Sequence, residues 1–399
     1  MSKLFRIGLV MQGGVNWMGG AEYIKNIILA LASLPEDIRS TFEVCLLCDK
    51  KIDPSILSQI KPHLAEVFYL EYPTVLKKIG RIVKRDIFGE YNTHVTKFFK
   101  QNSNHNIDFV YPYFTTKPYP GQPKSAGWIP DFQHKYLTDF FTGGAIKRKD
   151  KEFSNISKCS QFVVLSSESA KSDFCNFFPE WEHKAKVLPF VTIPDPIWYE
   201  MEPAKVLEQY NIPEKFFLIS NQFWQHKNHI TVFYALKLLQ ERGVYPTIIC
   251  TGKLYDDRNK GYSNKILESI EKLGISKQLH LLGVIPKADQ IQLLRASIAL
   301  IQPSLFEGWS TIVEESKCFA KRIILSDLSV HLEQKPSGGI FFQRDSAEEL
   351  SEILANCWNT VLIEKFSQKQ ESLSRHANAE RIQKFAYDFL YIAKTLPPR

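Results

Sequence analysis

Short hydrophobic runs alternate along the chain with longer segments in which apolar residues recur at helical spacing. In the first half the predicted strands are Leu4–Met11, Phe42–Leu47, Asp108–Tyr111, Gly127–Pro130 and Phe162–Leu165. The alternation begins again at Phe216–Ser220 and continues through Thr247–Cys250, His280–Leu282, Ala299–Ile301 and Ile323–Ser326. Apolar strands that alternate with helices are typical of parallel α/β sheets. The pattern therefore predicts two α/β domains, one after the other.

A proline-rich passage separates the two halves. It contains Pro189, Pro194, Pro196, Pro203 and Pro213. Prolines at this density disfavour regular structure, so we predict the domain junction here. We assign residues 1–190 to the first domain, 191–213 to a linker and 214–375 to the second domain. Residues 376–399 are predicted to form a C-terminal amphipathic helix.

The stretch Pro303–Ser316 combines a strand end, a turn and a helix start. The turn contains Gly308, which allows a ligand to approach the backbone closely. Ser310 or Thr311 can cap the helix, and the amides of a helix's first turn favour an anion. The pattern predicts a phosphate-binding turn.

Glu307 and Glu315 lie on either side of this helix start. A carboxylate beside a phosphate would repel it, so the two acids suit hydroxyl groups on either side of a diphosphate, one from a sugar and one from a ribose. This arrangement indicates a nucleotide-sugar site. The alternative is that Glu307 and the Glu314/Glu315 pair only stabilise the helix dipole.

Two further turns carry groups suited to ligand binding. Lys227 follows the strand Phe216–Ser220, where a cation is well placed for a diphosphate. Asp131 and His134 follow the strand Gly127–Pro130, at the sheet edge where open α/β sheets bind ligands. The alternative for His134 is that it only holds its loop in place.

The first strand is followed by a glycine-rich loop. Its glycines are Gly13, Gly14, Gly19 and Gly20, ahead of a helix predicted over Ala21–Ser33. Their spacing is not G-x-G-x-x-G, so we predict no dinucleotide cofactor such as NAD. The glycines either let the loop lie close under a bound group or form a flexible turn only.

Composition narrows the classes of function. The 399 residues carry a formal net charge of +7, most of it before Phe190. This excess suits an anionic partner but is too small to indicate nucleic-acid binding. The seven cysteines show no C-x-x-C spacing, so neither a disulfide framework nor a zinc site is predicted. No secretory signal or membrane-spanning run is visible, and we expect a cytoplasmic protein.

The segment Pro73–Phe88 is predicted to form a basic amphipathic helix. The cations that fall outside its apolar stripe are Lys77, Lys78, Arg81, Lys84 and Arg85. Such a helix can lie on an anionic membrane, which would place the protein at the inner face of the cell membrane. The commoner explanation is a solvated outer face over a buried stripe.

The spacing from Glu307 to Glu315 resembles the E-x7-E signature of retaining glycosyltransferases of family 4. The resemblance implies a GT-B fold, in which two Rossmann-like domains face across a cleft and the C-terminal helix crosses back to the first domain. The family's E-G-F-G is present as Glu307, Gly308, Trp309 and Ser310, so serine replaces the second glycine. This replacement is expected to leave the amide available but to narrow the pocket.

The resemblance also implies roles for single residues. Glu307 would contact the donor sugar, Glu315 the ribose, and Lys227 the diphosphate. The other implied donor-binding positions are Gln222, Gly252, Gly283, Val284, Gly308, Trp309, Ser310 and Thr311. Gln222 stands where the family has arginine, so either a neighbouring histidine compensates or the charge on the leaving group is less well stabilised.

On the acceptor side, the resemblance implies that His134 and Asp131 contact donor sugar or acceptor. The glycine loop would face the phosphate and the acceptor. Glu307, Lys227, His134 and Asp131 are therefore the predicted catalytic residues.

We predict a retaining hexosyltransferase that uses a nucleotide-diphosphate sugar. Its acceptor is expected to be a saccharide or a lipid-linked saccharide in surface polysaccharide synthesis, of O-antigen or exopolysaccharide. No Asp-x-Asp motif follows a strand, so neither a metal nor another cofactor is expected. Two alternatives stay open: a nucleotide-sugar epimerase with Asp131 and Glu168 as acid and base, and a non-catalytic subunit that binds nucleotide sugar or glycan.

Overall fold

The computed structural model describes residues 3–13, 18–71, 87–102, 106–255, 259, 261–360 and 368–395. The chain divides into two compact units. The first comprises Met1–Phe132, Thr142–Ile193 and Glu380–Arg399, and the second comprises Gln133–Phe141 and Pro194–Ala379. The cations predicted to face a membrane, from Lys77 to Arg85, lie outside the described residues.

The first unit is built on a parallel sheet. Its strands are β1 (Phe5–Val10), β2 (Phe42–Cys48), β3 (Glu66–Tyr69), β4 (Phe109–Tyr111), β5 (Lys124–Ile129), β6 (Phe162–Leu165) and β7 (Ala185–Val187). Within the described residues the strand order is β3-β2-β1-β4-β5-β6-β7, and the recorded pairs are parallel. The order reverses between β1 and β4, as in doubly wound folds.

Helices cover the faces of this sheet. They are α1 (Met18–Ala32), α2 (Glu36–Arg39), α3 (Pro54–Ile60), α4 (Ile87–Gln101), α6 (Gly143–Cys159) and α7 (Glu168–Phe177). The short helix α5 (Gln133–Tyr136) belongs to the second unit. Two buried clusters of its core lie within the described residues, one around Val10, Leu47 and Val110 and the other around Ile129, Phe132 and Val163. Burial on both faces explains why the strands are apolar without alternation.

The second unit repeats the design. Its strands are β8 (Phe217–Ser220), β9 (Ile248–Thr251), β10 (Leu279–Gly283), β11 (Leu300–Gln302), β12 (Ile323–Ser326) and β13 (Gly339–Phe342). The order is β10-β9-β8-β11-β12-β13 in the part of the chain that the structure describes. The order reverses between β8 and β11, which are neighbours through Leu218 and Leu300.

Besides α5, two described α-helices of the second unit precede β8, and a helix follows each of its strands. They are α8 (Ile197–Glu200), α9 (Pro203–Gln209), α10 (His229–Glu241), α11 (Tyr262–Leu273), α12 (Lys287–Ala296), α13 (Thr311–Cys318), α14 (Ser329–Gln334), α15 (Ala347–Thr360) and α16 (Gln368–Lys394). Phe217 and Ile219 face one buried cluster while Phe216 and Leu218 face another, so this sheet is also covered on both sides.

The structure corrects the expectation that residues 191–213 are irregular, because α8 and α9 form there. Pro196 precedes α8 and Pro203 is the first residue of α9, positions where a missing amide hydrogen removes no helix bond. The last helix also starts earlier than predicted. It begins at Gln368, and from Glu380 onward its residues belong to the first unit. No described helix is both long enough and apolar enough to span a bilayer.

Candidate active site

Two turns of the second unit meet at the carboxyl ends of β8 and β11. One turn, 221–228, joins β8 to α10, and the other, 303–310, joins β11 to α13. Since β8 and β11 are adjacent and parallel, both turns emerge at the same sheet edge, where the strand order reverses. In open α/β sheets this is the position at which ligands bind. The two turns are the candidate active site.

Lys227 and Glu307 form an ion pair between these turns. Lys227 Nζ lies 2.6 Å from Glu307 Oε1, and the two side chains are only 14% and 9% exposed. Ion pairs that are this well shielded interact more strongly than surface pairs. Two of the predicted catalytic residues are thus brought into direct contact, although they lie 80 residues apart in sequence.

Two neutral groups donate to the same carboxylate oxygen. Ser304 Oγ lies 2.6 Å and Gln302 Nε2 2.9 Å from Glu307 Oε1. Glu307 Oε1 therefore has three donors, while Oε2 has none among the residues described. Gln302 and Ser304 are fully buried. They fix the orientation of the Glu307 carboxylate, and the sequence analysis did not identify either of them.

The start of α13 departs from the expectation in one respect. Ser310 precedes the helix, but its side chain makes no capping hydrogen bond, and its backbone N–H donates to Gln334 Oε1 at 3.1 Å. Gln334 Nε2 donates in turn to Ser310 O and to Glu314 Oε1. The prediction that the Ser310 amide is available to a phosphate is therefore wrong. The amides of Thr311 and Ile312, in the first helical turn, have no acceptor within the helix.

Trp309 and Gly308 complete this turn. Lys317 Nζ lies 5.8 Å from the centroid of the Trp309 ring and 2.7 Å from Glu314 Oε1. Glu314 is almost fully buried and is held by Lys317 and Gln334. Glu314 thus has a structural role in holding the start of α13.

Glu315 is paired with a different lysine. Lys287 Nζ, at the start of α12, lies 2.5 Å from Glu315 Oε1. The Glu315 side chain is 3% exposed and that of Lys287 is 37% exposed. The predicted ribose-binding carboxylate is therefore buried, and its partner is a lysine side chain that reaches solvent.

Two histidines near Lys227 are neutral. His229 is fully buried with its ring stacked on Phe223 at 4.0 Å, and burial, reinforced by the charge of Lys227, lowers its pKa from 6.5 to about 3. Burial also lowers the pKa of His331, whose Nδ1 donates to Ser326 O at 2.9 Å. His229 consequently cannot supply the positive charge that Gln222 lacks.

Gly252 and Gly283 bring the neighbouring strand ends close together. Gly252 N donates to Gly283 O at 2.7 Å. Gly252 has φ +121, and a Cβ atom there would lie 2.3 Å from Asn221 O. Only glycine fits this close approach to the turn that carries Lys227. Val284, which follows Gly283, is 75% exposed.

Asp131 and His134, which were both predicted in the first domain, lie in different units of the structure. Asp131 follows β5 in the first unit, whereas His134 lies on α5 in the segment Gln133–Phe141, which belongs to the second unit. His134 is fully buried. The assignment of both residues to the first domain was therefore wrong for His134, and their acceptor-side role stays a prediction.

The glycine loop is shorter than expected. Gly13 has φ +77, in the left-handed region that favours glycine. Gly19 and Gly20 lie in the first turn of α1, which begins at Met18 rather than at Ala21. Gly14 lies outside the described residues.

The fold is GT-B, as in solved structures that cover the chain from end to end. HepE from Anabaena, in complex with UDP and glucose, superposes with a TM-score of 0.68 at 15% identity, covering 98% of this chain and 100% of that one. A glycosyltransferase from Rickettsia africae gives 0.65 at 14% identity, covering 98% of each chain. WaaG, a glycosyltransferase involved in lipopolysaccharide biosynthesis, gives 0.63 at 15% identity, covering 98% of this chain and 100% of that one.

The sequence of the second unit is also similar to a known family. Residues 205–367 match the family described as glycosyl transferases group 1. This segment contains both turns of the candidate active site. No curated protein matches the chain. The glycosyltransferase resemblance is confirmed at this level, and the narrower assignment to family 4 stays a prediction.

Proposed function

We propose that this protein is a retaining hexosyltransferase that uses a nucleotide-diphosphate sugar. The observation that carries the proposal is the shielded pair of Lys227 and Glu307 at the carboxyl ends of β8 and β11. It places a cation suited to a diphosphate beside a carboxylate suited to sugar hydroxyls. The group 1 match over residues 205–367 supports the same chemistry.

The donor is proposed from the shape of the site and from similar proteins. HepE, with the same fold, has been solved with UDP and glucose and with UDP-glucose. In this chain, Lys227 would hold the diphosphate together with the first-turn amides of α13. Glu307 would orient the sugar, and Glu315 the ribose after its carboxylate exchanges Lys287 for a hydroxyl group.

The proposed chemical step is a front-face displacement. The acceptor hydroxyl forms a bond to the anomeric carbon on the side from which the diphosphate leaves, and the bond between that carbon and the phosphate oxygen breaks. The acceptor proton moves to the departing phosphate oxygen. The configuration at the anomeric carbon is retained, and no protein nucleophile is needed. Lys227 stabilises the charge that develops on the leaving group.

Metal independence is part of the proposal. Lys227 and the helix amides already offer positive charge where the diphosphate would lie. A divalent ion is therefore not required for leaving-group stabilisation. Full activity in the presence of EDTA would support this point, and activity restored only by added Mg²⁺ or Mn²⁺ would contradict it.

The acceptor is proposed to be a saccharide or a lipid-linked saccharide in surface polysaccharide synthesis. The similarity to WaaG, which is involved in lipopolysaccharide biosynthesis, and the positive charge concentrated before Phe190 support this setting. A basic surface favours an anionic, diphosphate-linked acceptor at a membrane. On this proposal the protein works in the cytoplasm at the inner face of the membrane.

The decisive experiment incubates the protein with a panel of UDP-, GDP- and dTDP-hexoses and measures nucleotide release with and without acceptor. Release that depends on acceptor, with a product of the same anomeric configuration as the donor, supports the proposal. Solvent-proton exchange at a sugar carbon without acceptor would instead indicate an epimerase. Absence of release and exchange from every donor would overturn the proposal.

One observation favours a second candidate, a non-catalytic subunit that binds nucleotide sugar or glycan. Gln222 is neutral, and the Ser310 amide is occupied by Gln334, so the site offers fewer groups to a departing diphosphate than expected. Such a subunit would show a melting-temperature increase with UDP, GDP or dTDP but no turnover. The panel assay, combined with thermal melting, separates the two candidates.

A further inference from the structure

Gln302 connects the two turns of the candidate active site. It is the last residue of β11 and is fully buried. Its Oε1 accepts a hydrogen bond from Asn221 Nδ2 at 2.8 Å, in the turn that carries Lys227. Its Nε2 lies 2.9 Å from Glu307 Oε1 and 3.2 Å from the hydroxyl oxygens of both Ser304 and Ser310.

The chemistry of the neighbours fixes the orientation of this amide. An ionised carboxylate can only accept hydrogen bonds, so the side of Gln302 that faces Glu307 must be the NH2 group. The carbonyl oxygen then faces Asn221. Both the carbonyl and the NH2 group of the buried Gln302 side chain are therefore hydrogen-bonded. Its NH2 group is one of the three donors to Glu307 Oε1.

The consequence concerns the other oxygen of Glu307. Oε1 receives Lys227 Nζ, Ser304 Oγ and Gln302 Nε2, which saturates its lone pairs. Within the described part of the chain, Oε2 has no hydrogen-bond donor. A sugar hydroxyl that donates to Glu307 would therefore be accepted at Oε2. Without the amide of Gln302, only Lys227 and Ser304 of these three donors would hold Oε1, and the carboxylate would be less firmly oriented.

We propose that Gln302 is a positioning residue that presents Oε2 of Glu307 to a hydroxyl group of the donor sugar. The residue acts through Glu307 and does not itself contact the substrate. Because it also holds Asn221, it couples the position of the Lys227 turn to that of the carboxylate. This inference rests on the proposed transferase function, since it concerns how a sugar is oriented.

Gln302→Glu is the sharpest test, because it keeps the shape of the side chain and its acceptor for Asn221. When protonated, the introduced carboxyl group can donate to Glu307 Oε1 as the amide does. When ionised, it repels Glu307. The charged groups facing this position are Glu307 and Lys227, and the buried imidazoles of His229 and His331 lie near Lys227. Activity of this variant should fall as pH rises, relative to the wild-type profile.

Gln302→Leu removes the donor at every pH, and Gln278→Leu is its matched control. Gln278 is a buried glutamine at the amino end of β10, and its Nε2 approaches Pro246 O at 3.4 Å, away from the sheet edge that carries the site. With the best donor from the hexose panel, Gln302→Leu should lower kcat about tenfold to a hundredfold. The donor KM should change by less than about threefold, since nucleotide contacts are kept.

The outcomes separate this inference from the proposed function. A wild-type protein that releases no nucleotide from any donor overturns both. An active wild-type protein together with Gln302 variants that match Gln278→Leu, and a Gln302→Glu profile parallel to wild type, overturns the positioning role alone. If Gln302→Leu fails to fold, Gln302→Glu decides, because its low-pH activity serves as an internal control for folding.

Discussion

Glu307 and Glu315, two of the three glutamates of the stretch 303–316, are each paired with a lysine from another element, but their surroundings differ. Glu307 and Lys227 are 9% and 14% exposed, and Gln302 and Ser304 also hold the carboxylate. Glu315 is 3% exposed, while its partner Lys287 is 37% exposed. The first pair is shielded at both ends, whereas the second has a cation that reaches solvent.

Two glutamates of the same sequence signature can therefore have different physical roles. A shielded pair is costly to break, because removing one partner leaves an uncompensated charge. In the second pair the cation reaches solvent, so water can take its place beside Glu315, and its loss should cost less than the loss of Lys227. We therefore expect the Lys227 pair to behave as a fixed unit and the Lys287 pair to behave as an exchangeable contact.

The largest expected effect is that of Lys227→Ala. It should lower transferase turnover on the order of a hundredfold or more, because a preorganised charge opposite the leaving group is lost. It should also destabilise the fold by roughly 3 kcal/mol, since Glu307 would remain charged and shielded. The measurements are kcat from nucleotide release and the free energy of unfolding in urea.

A double variant separates the two consequences. Lys227→Ala with Glu307→Gln should recover most of the lost stability, because a neutral amide needs no cation, but it should not recover turnover. Lys237→Ala, a lysine with a 38% exposed side chain on α10, is the control for removing a positive charge. Near-normal turnover of Lys227→Ala would contradict the proposed role of the pair.

A smaller effect on stability is expected at acidic pH. It should arise from His229, which lies near Lys227 of the first pair. The pKa of His229 is about 3 in the folded chain against an ordinary value of 6.5. Between these values the unfolded chain binds a proton that the folded chain does not, so stability falls as pH falls from 6.5 towards 3. Above pH 6.5 His229 is neutral in both the folded and the unfolded chain, and it no longer lowers the stability.

His229→Phe keeps a ring to stack on Phe223 and removes the titrating group. The loss of unfolding free energy between pH 7.5 and pH 4.5 should be smaller in this variant than in wild type. Part of the pH dependence of stability should remain in the variant, because burial also lowers the pKa of His331. His63→Gln, at an exposed position, is the control. Equal slopes in wild type and His229→Phe would refute the assignment.

Much of the second unit could be predicted from the sequence, because its apolar strand patterns are followed directly by turns that carry charged residues. Apolar runs gave β8, β9, β11 and β12, and the turns after β8 and β11 carried Lys227 and Glu307. Parallel strands then bring their carboxyl ends to one edge, so the meeting of these turns follows from the fold class. The edge strand β13 was missed; most of its residues are only half-buried, whereas those of β8, β9, β11 and β12 are almost all buried.

The polar contacts around Glu307 could not be predicted in the same way. Asn221 and Gln302 are 81 residues apart, and Gln334 reaches Ser310 across 24 residues. Such pairings depend on side-chain positions that only the folded chain defines. One signal was present in the sequence: Gln302 ends an otherwise apolar strand, and a buried amide at that position requires hydrogen-bond partners.

The smallest expected effect, and the one that most directly tests the comparison, is that of Lys287→Ala. The Lys287 side chain is more than one third exposed, so its loss should change the free energy of unfolding by less than about 1 kcal/mol. Turnover should fall less than about threefold, while the donor KM changes, because the substitution affects nucleotide binding rather than the chemical step. Lys272→Ala, which removes an exposed lysine from α11, measures the effect of charge alone. A loss of turnover similar to that of Lys227→Ala would mean that the two pairs are equivalent, and the distinction drawn from their exposure would then be wrong.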